Sequence, residues 1–124
     1  MTYQKFEVGE AMVEQTYDAV EEADQTGKIV TGTNEVTKAI ERNEADLVIV
    51  AGDVSPEEIV MHLPALCEER EVPYTYVPEK DELGAAAGVN VQAASAAVVT
   101  KGQAEDDVED IGRKAGELLE AEQE

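Results

Sequence analysis

The chain has 124 residues, 43% of them hydrophobic, and sets 29 acidic against nine basic side chains for a formal charge of -20. That size fits one domain, residues 1–124, with its own core, and the charge on its own argues against a polyanion as partner. One cysteine and one histidine give neither an internal disulfide nor a zinc set, and with no membrane-length apolar run and no signal-peptide stretch after Met1 the expectation is a soluble, cytoplasmic protein without cofactor or metal.

Glu10 to Gln25 places Val13, Tyr17, Val20 and Ala23 at helical spacing among acids, which predicts an amphipathic first helix stopped by Gly27. Lys28–Thr31 is a short β-branched run, and after Gly32 a second helix opens with either Thr33 or Asn34 as its cap. Leu47–Ala51 suits a strand buried on both faces. Ser55-Pro56-Glu57-Glu58 then has the order of a capped helix start, predicting a helix to about Glu69 with Ile59, Leu63, Leu66 and Cys67 inward and a bend at Pro64. Pro73–Val77 reads as a strand, and Asp81–Ala87 as a short helix whose glycine and alanines imply close packing, ended by Gly88. A loop from Val89 to Gln92 leads to a strand over Ala93–Thr100. The last helix, from about Ala104, carries Val108, Ile111, Ala115 and Leu118 inward beside Leu119, and its acidic end near 120–124 is expected to fray. Helix and strand alternate throughout, which predicts an α/β fold: a three-layer α/β/α sandwich around a mixed, mostly parallel four-stranded sheet.

The charge is unevenly distributed. Gly27–Glu44 holds three acids and three bases, and Glu79–Lys101 three acids and two bases, whereas Gly102–Glu124 holds nine acids and two bases. Bringing the first two segments together would make a near-neutral face on a negative body. The acid excess itself reads either as an ordinary solvated surface or as adaptation to a salt-rich cytoplasm, where the Debye length falls to about 3 Å near 1 M salt.

No catalytic set emerges. His62 has no nucleophile placed beside it by local sequence, Cys67 falls on an apolar stripe, and Asp53 at the end of a buried strand reads as a loop cap before it reads as a catalytic carboxylate. Neither glycine-rich phosphate-loop pattern is present. The segment Gly32-Thr33-Asn34-Glu35-Val36-Thr37-Lys38-Ala39-Ile40-Glu41-Arg42 is different in kind. On a helix, Asn34, Lys38 and Arg42 project from one face with Glu35 beside Lys38, while Val36, Ala39 and Ile40 turn to a core.

This segment, with Leu47–Ala51, Pro56–Ile59, His62-Leu63-Pro64, Leu83-Gly84 and Ala87-Gly88, resembles the archaeal ribosomal protein L7Ae family over nearly the whole chain. The resemblance implies a non-enzymatic α/β/α domain that recognises kink-turn RNA, an internal loop with tandem sheared G·A pairs. It implies as partners large-subunit rRNA, box C/D and H/ACA guide RNAs, RNase P RNA and guide-particle core proteins, with a monomer when free. Position by position it puts Asn34, Glu35 and Lys38 at guanine edges, Gly32, Thr33 and Asn34 at a phosphate, Arg42 and Lys80 on the RNA backbone, and Val89, Asn90 and Val91 against splayed bases. The chain departs from many relatives in carrying Gln92 in place of proline, and its charge resembles that of versions from salt-loving archaea. Two other readings stand beside this one: a paralogous structural or protein-interaction module without kink-turn selectivity, and a small α/β enzyme using Asp53.

Overall fold

Nine regular elements alternate along residues 3–123, the part of the chain that the structure, a computed structural model, describes. They are α1 (Glu10–Thr26), β1 (Lys28–Thr31), α2 (Thr33–Glu41), β2 (Leu47–Ala51), α3 (Leu63–Arg70), β3 (Tyr74–Val77), α4 (Lys80–Ala86), β4 (Ser95–Thr100) and α5 (Glu105–Gln123). Two 3-10 turns, Glu57–Ile59 and Gly102–Ala104, precede α3 and α5. α1 packs with α4 and α5 on one side of the sheet, and α2 packs with α3 on the other. The expected α/β sandwich is therefore present.

The sheet has the order β1-β4-β2-β3. β2 and β3 pair parallel, whereas β4 runs antiparallel to both β1 and β2. The expectation of mostly parallel pairing is corrected: two of the three pairings are antiparallel. The cause lies after α4. There the chain doubles back along the helix, with Val89 N–H donating to Gly84 O and Ala93 N–H to Lys80 O, both at 3.1 Å. β4 thus starts at the end of the sheet where β3 stopped, instead of crossing to the other end.

β2 is buried at every residue, as its unbroken apolar run predicts. Burying each of Leu47, Val48, Ile49 and Val50 contributes about 1.5 to 3 kcal/mol. α1 buries Val20 and Ala23 fully and Val13 and Tyr17 partly. It also buries Thr16, which the apolar pattern alone does not mark; its hydroxyl donates to Met12 O at 2.7 Å, so no hydrogen bond is lost. Gly27 does end α1, through close approach rather than a left-handed backbone. A Cβ there would run into Thr100 O and Gly102 N of the β4–α5 connection.

The segment 55–70 differs from its sequence reading. Pro56 is extended, with ψ 152, so Glu57–Ile59 forms only a 3-10 turn and α3 begins at Leu63. Pro64 falls in the first turn of α3, where its missing N–H costs nothing, and no bend results. Leu63 and Cys67 are buried as expected, but Ile59 is 40% exposed and Val60 takes the inward place. α5 buries Val108, Ile111 and Ala115, with Leu118 and Leu119 partly covered. Its helix runs to Gln123, and Glu124 lies outside the described residues.

A further part of the core comes from the first residues. The Tyr3 hydroxyl donates to Ala51 O at 2.8 Å and accepts from Val54 N–H at 2.9 Å. Tyr76 Oη accepts from Lys5 N–H at 3.1 Å and donates to Tyr3 O at 3.4 Å. Phe6 packs tilted against Tyr74 and edge-on against Tyr76, at ring-centroid distances of 5.7 and 5.1 Å. This strap fixes the start of the chain across β2 and β3.

α1 and α5 are also joined by hydrogen bonds of Gln15 to a charged cluster on α5. Asp110 accepts from Gln15 Nε2 at 2.9 Å, lies 2.9 Å from Lys114 Nζ and accepts from Arg113 Nη2 at 2.6 Å. Those donors hold its carboxyl well below the usual carboxylate range. A depressed folded-state pKa stabilises above the unfolded value, roughly 3.9, and the contribution disappears as pH falls toward the folded value. Asp110→Asn is therefore expected to lower the urea midpoint at pH 7, with the gap to the parent closing below pH of about 4. Gly27→Ala, which forces the β4–α5 connection outward, is expected to cost about 1 to 3 kcal/mol in the same urea titration.

Candidate functional site

Because β1, β2 and β3 run one way and β4 the other, the ends of the first three and the start of the fourth lie together. The N-terminus of α2, the 52–62 segment, Lys80 and the 88–94 loop consequently share one edge of the molecule. Gly32 joins two of them. Its φ of 88 is a backbone that L side chains rarely adopt, and it turns β1 directly into α2. Its N–H donates to Ser95 O at 3.0 Å, tying the helix start to β4.

Gly32 itself occupies the cap position of α2, so neither Thr33 nor Asn34 caps the helix. Thr33 Oγ1 instead donates to Ile59 O at 3.1 Å, fastening α2 to the 3-10 turn. Since the Gly32 N–H is taken by Ser95, an anion at this helix start would meet the next N–H groups, those of Thr33 and Asn34.

Val36, Ala39 and Ile40 are buried under α2 while Asn34, Glu35 and Lys38 stand in solvent, as the spacing predicts. Lys38 Nζ lies 3.4 Å from Glu35 Oε2, with the side chains 53% and 59% exposed. An ion pair that open is worth a fraction of a kcal/mol, so both groups can be redirected to a ligand at little cost. Thr37 Oγ1 sits 3.1 Å from His62 Nε2, which gives the exposed histidine a structural contact on the same helix. Arg42 is exposed at the other end of α2, eight residues or about 12 Å along the axis from Asn34. The structure therefore separates it from the rest of the predicted set.

Lys80 opens α4, and its N–H donates to Asp53 Oδ1 at 2.9 Å. Asp53 is thus the loop cap that its position suggested. The Lys80 ammonium has no carboxylate within ion-pair distance among the described residues. Along the 88–94 loop Val89 is half-buried, Asn90 is exposed and Val91 is 72% exposed. These residues, with Asp81, Ala85 and Gln92, enclose a depression of about 330 Å³. Gln92 leaves the loop without proline, but backbone bonds hold it at Gly84 and Lys80, and Gly88, with φ 77, makes the turn. Gly84 is a positioning residue here: a Cβ on it would strike the carbonyl oxygen of Val91.

Two exposed apolar residues at this edge, Ile59 and Met61 at 40% and 49%, were not predicted as surface. Their signal was hidden by the capped-helix order of Ser55–Glu58. The charge division is sharper than the segment counts suggested. α1, α4 and α5 carry sixteen acids and three bases, against four acids and two bases on α2 and α3. Among the described residues no three His, Cys, Asp or Glu side chains are grouped to hold a metal, and no helix is long and apolar enough to cross a membrane. Cys67 is fully buried, and desolvation, with Glu68 nearby, pushes its thiol up to about 12.

Residues 14–108 match the model of the ribosomal protein L7Ae/L30e/S12e/Gadd45 family. The chain belongs to that family. Its fold is also that of a solved structure, the 15.5kD RNA binding protein of Giardia lamblia. The two are 33% identical and superpose with a TM-score of 0.84 over 90% of this chain and 92% of the other. The match spans both the α2 segment and the 88–94 loop, so the family relationship covers the whole candidate edge.

Gly84→Ala is expected to displace the Val91 carbonyl and to cost about 1 to 3 kcal/mol, with faster amide exchange confined to residues 88–93. Cys67 is expected to resist iodoacetamide at pH 8 in the native protein and to react fully in 8 M urea, as mass spectrometry of the intact chain would show.

Proposed function

We propose that the chain is an RNA-binding protein that recognises kink-turns through this edge, in a binding role and not a catalytic one. The observation that carries the proposal is the convergence of the exposed Asn34, Glu35 and Lys38 face with the Val89–Val91 loop at one end of the sheet. Family membership and the likeness to an RNA binding protein support it. In this reading Glu35 accepts from the N1–H and N2–H of a guanine, while Asn34 and Lys38 donate to O6 or N7 of the sheared pairs. The Thr33 and Asn34 N–H groups at the start of α2 take a phosphate beside Gly32. Val89 and Val91 cover bases splayed from the bulge. Lys80 reaches the RNA backbone at the near end, and Arg42 reaches it only along a stem that follows α2.

The proposed targets are large-subunit rRNA and box C/D and H/ACA guide RNAs, with RNase P RNA as a further one. The chain acts as a monomer when free and works in cytoplasmic ribonucleoprotein particles beside their core proteins. With a charge of -20, affinity comes from base contacts and shape more than from counterion release, so the salt dependence is shallow.

In gel-shift titrations a kink-turn RNA is expected to bind selectively over a duplex in which Watson–Crick pairs replace the G·A pairs. Glu35→Ala and Lys38→Ala should each lose about 1 to 3 kcal/mol of that affinity. Equal binding of the two RNAs would overturn the kink-turn reading. No binding of either, from a protein that still co-purifies with particle proteins, would favour a protein-interaction module.

A further inference from the structure

A second concave surface lies at the opposite end of the sheet, where the last turn of α3 meets the start of β3 and the outer half of α5. It encloses about 490 Å³. Pro73 and Leu119 present apolar surface over a floor of the buried Phe6, Val72, Tyr74 and Ala115, and Glu68, Glu71 and Glu120 stand around it without a lysine or arginine in the wall. The Glu68 carboxylate is partly engaged, accepting from Tyr74 Oη at 2.6 Å and lying 3.4 Å from Lys5 Nζ. Glu71 and Glu120 form no ion pair among the described residues. Two features keep the groove open and its rim charged. A Cβ on Gly116 would meet nothing within 4 Å, so α5 has a bare stretch facing the groove. Glu71 ends α3 with φ 59, a left-handed backbone that favours glycine, yet it carries a carboxylate there.

We propose that this groove docks a basic polypeptide segment of a partner protein, one that seats a large apolar side chain between arginines or lysines. Charge complementarity selects that occupant. A neutral apolar segment would leave the carboxylates unpaired at a desolvated rim, an acidic segment or anionic membrane would be repelled, and a purely polar cation would leave the lining unfilled. The volume is in the range of sites that enclose several side chains. Because the groove adjoins the first residue of β3 and the candidate RNA edge adjoins its last, the two sites can be filled together. The proposal does not depend on what the other edge binds.

The test uses the full chain and three fluorescein-labelled peptides, Arg-Phe-Arg-Leu-Arg, Arg-Gly-Arg-Ser-Arg and Glu-Phe-Glu-Leu-Glu, in anisotropy titrations at 150 mM NaCl. The first is expected to bind at least roughly fivefold more tightly than the second, and the third not at all. Gly116→Phe, which fills the groove, and Glu71→Gly, which removes a rim charge while relaxing the backbone, should each weaken the first peptide at least about threefold. Their thermal midpoints should equal or exceed the parent's. Should either unfold early, Glu120→Gln supplies the same reading from an exposed position. Equal binding of the two arginine peptides would mean attraction to the negative body alone and would overturn the proposal. Unchanged binding by folded Gly116→Phe and Glu120→Gln would do the same.

Discussion

The reversed insertion of β4 between β1 and β2 is the constraint on which the molecule's arrangement depends. A right-handed crossover after β3 would have carried the chain to the far end of the sheet, away from the start of α2. Returning along α4 instead puts the 88–94 loop beside the start of α2, with the Gly32 N–H to Ser95 O bond as the link between them. Gly84 makes the return possible, because only a residue without a side chain lets the loop lie against the helix. A backbone detail in a seven-residue helix thereby determines which surfaces share one edge of the molecule.

The charge is organised by the same layering. The α1, α4 and α5 layer holds most of the carboxylates, and the α2 and α3 layer is close to neutral. A polyanion meeting this field is turned toward the α2 side before contact, so repulsion contributes orientation even where it contributes no affinity. As salt shortens the screening length to a few ångströms, that steering fades and only groups in contact still matter. The weak Glu35–Lys38 pair is well suited to such conditions, since neither partner has to be released from a strong bond.

Much of the fold was legible in the chain because its signals are local. The unbroken apolar run of β2, the helical spacing of Val20 and Ala23, and the inward Val36, Ala39 and Ile40 each follow from periodicity within one element. Two of the failures are places where contacts outside the element override a local pattern. Ser55–Glu58 has the order of a helix start, but an extended Pro56 lets the chain pass under α2 before α3 begins. Strand direction depended on a loop whose hydrogen bonds reach back to α4. Of the site, Asn34, Glu35 and Lys38 were readable as a face and Val89–Val91 as a loop. That Arg42 lies apart from them, and that Gly32 spends its N–H on β4, required the sheet.

The N-terminal strap has a consequence for how the fold is completed. The bonds of Tyr3 and Lys5 join residues 48, 51, 71 and 73 positions apart. During synthesis the Tyr3 hydroxyl and the Lys5 N–H lack these partners until Val54, and then Tyr76, have left the ribosome and β2 and β3 have paired. The segment ahead of α1 is therefore ordered late, and its docking reports that the centre of the sheet is already assembled. Tyr3 and Phe6, placed ahead of the first helix, act less as a beginning than as a latch.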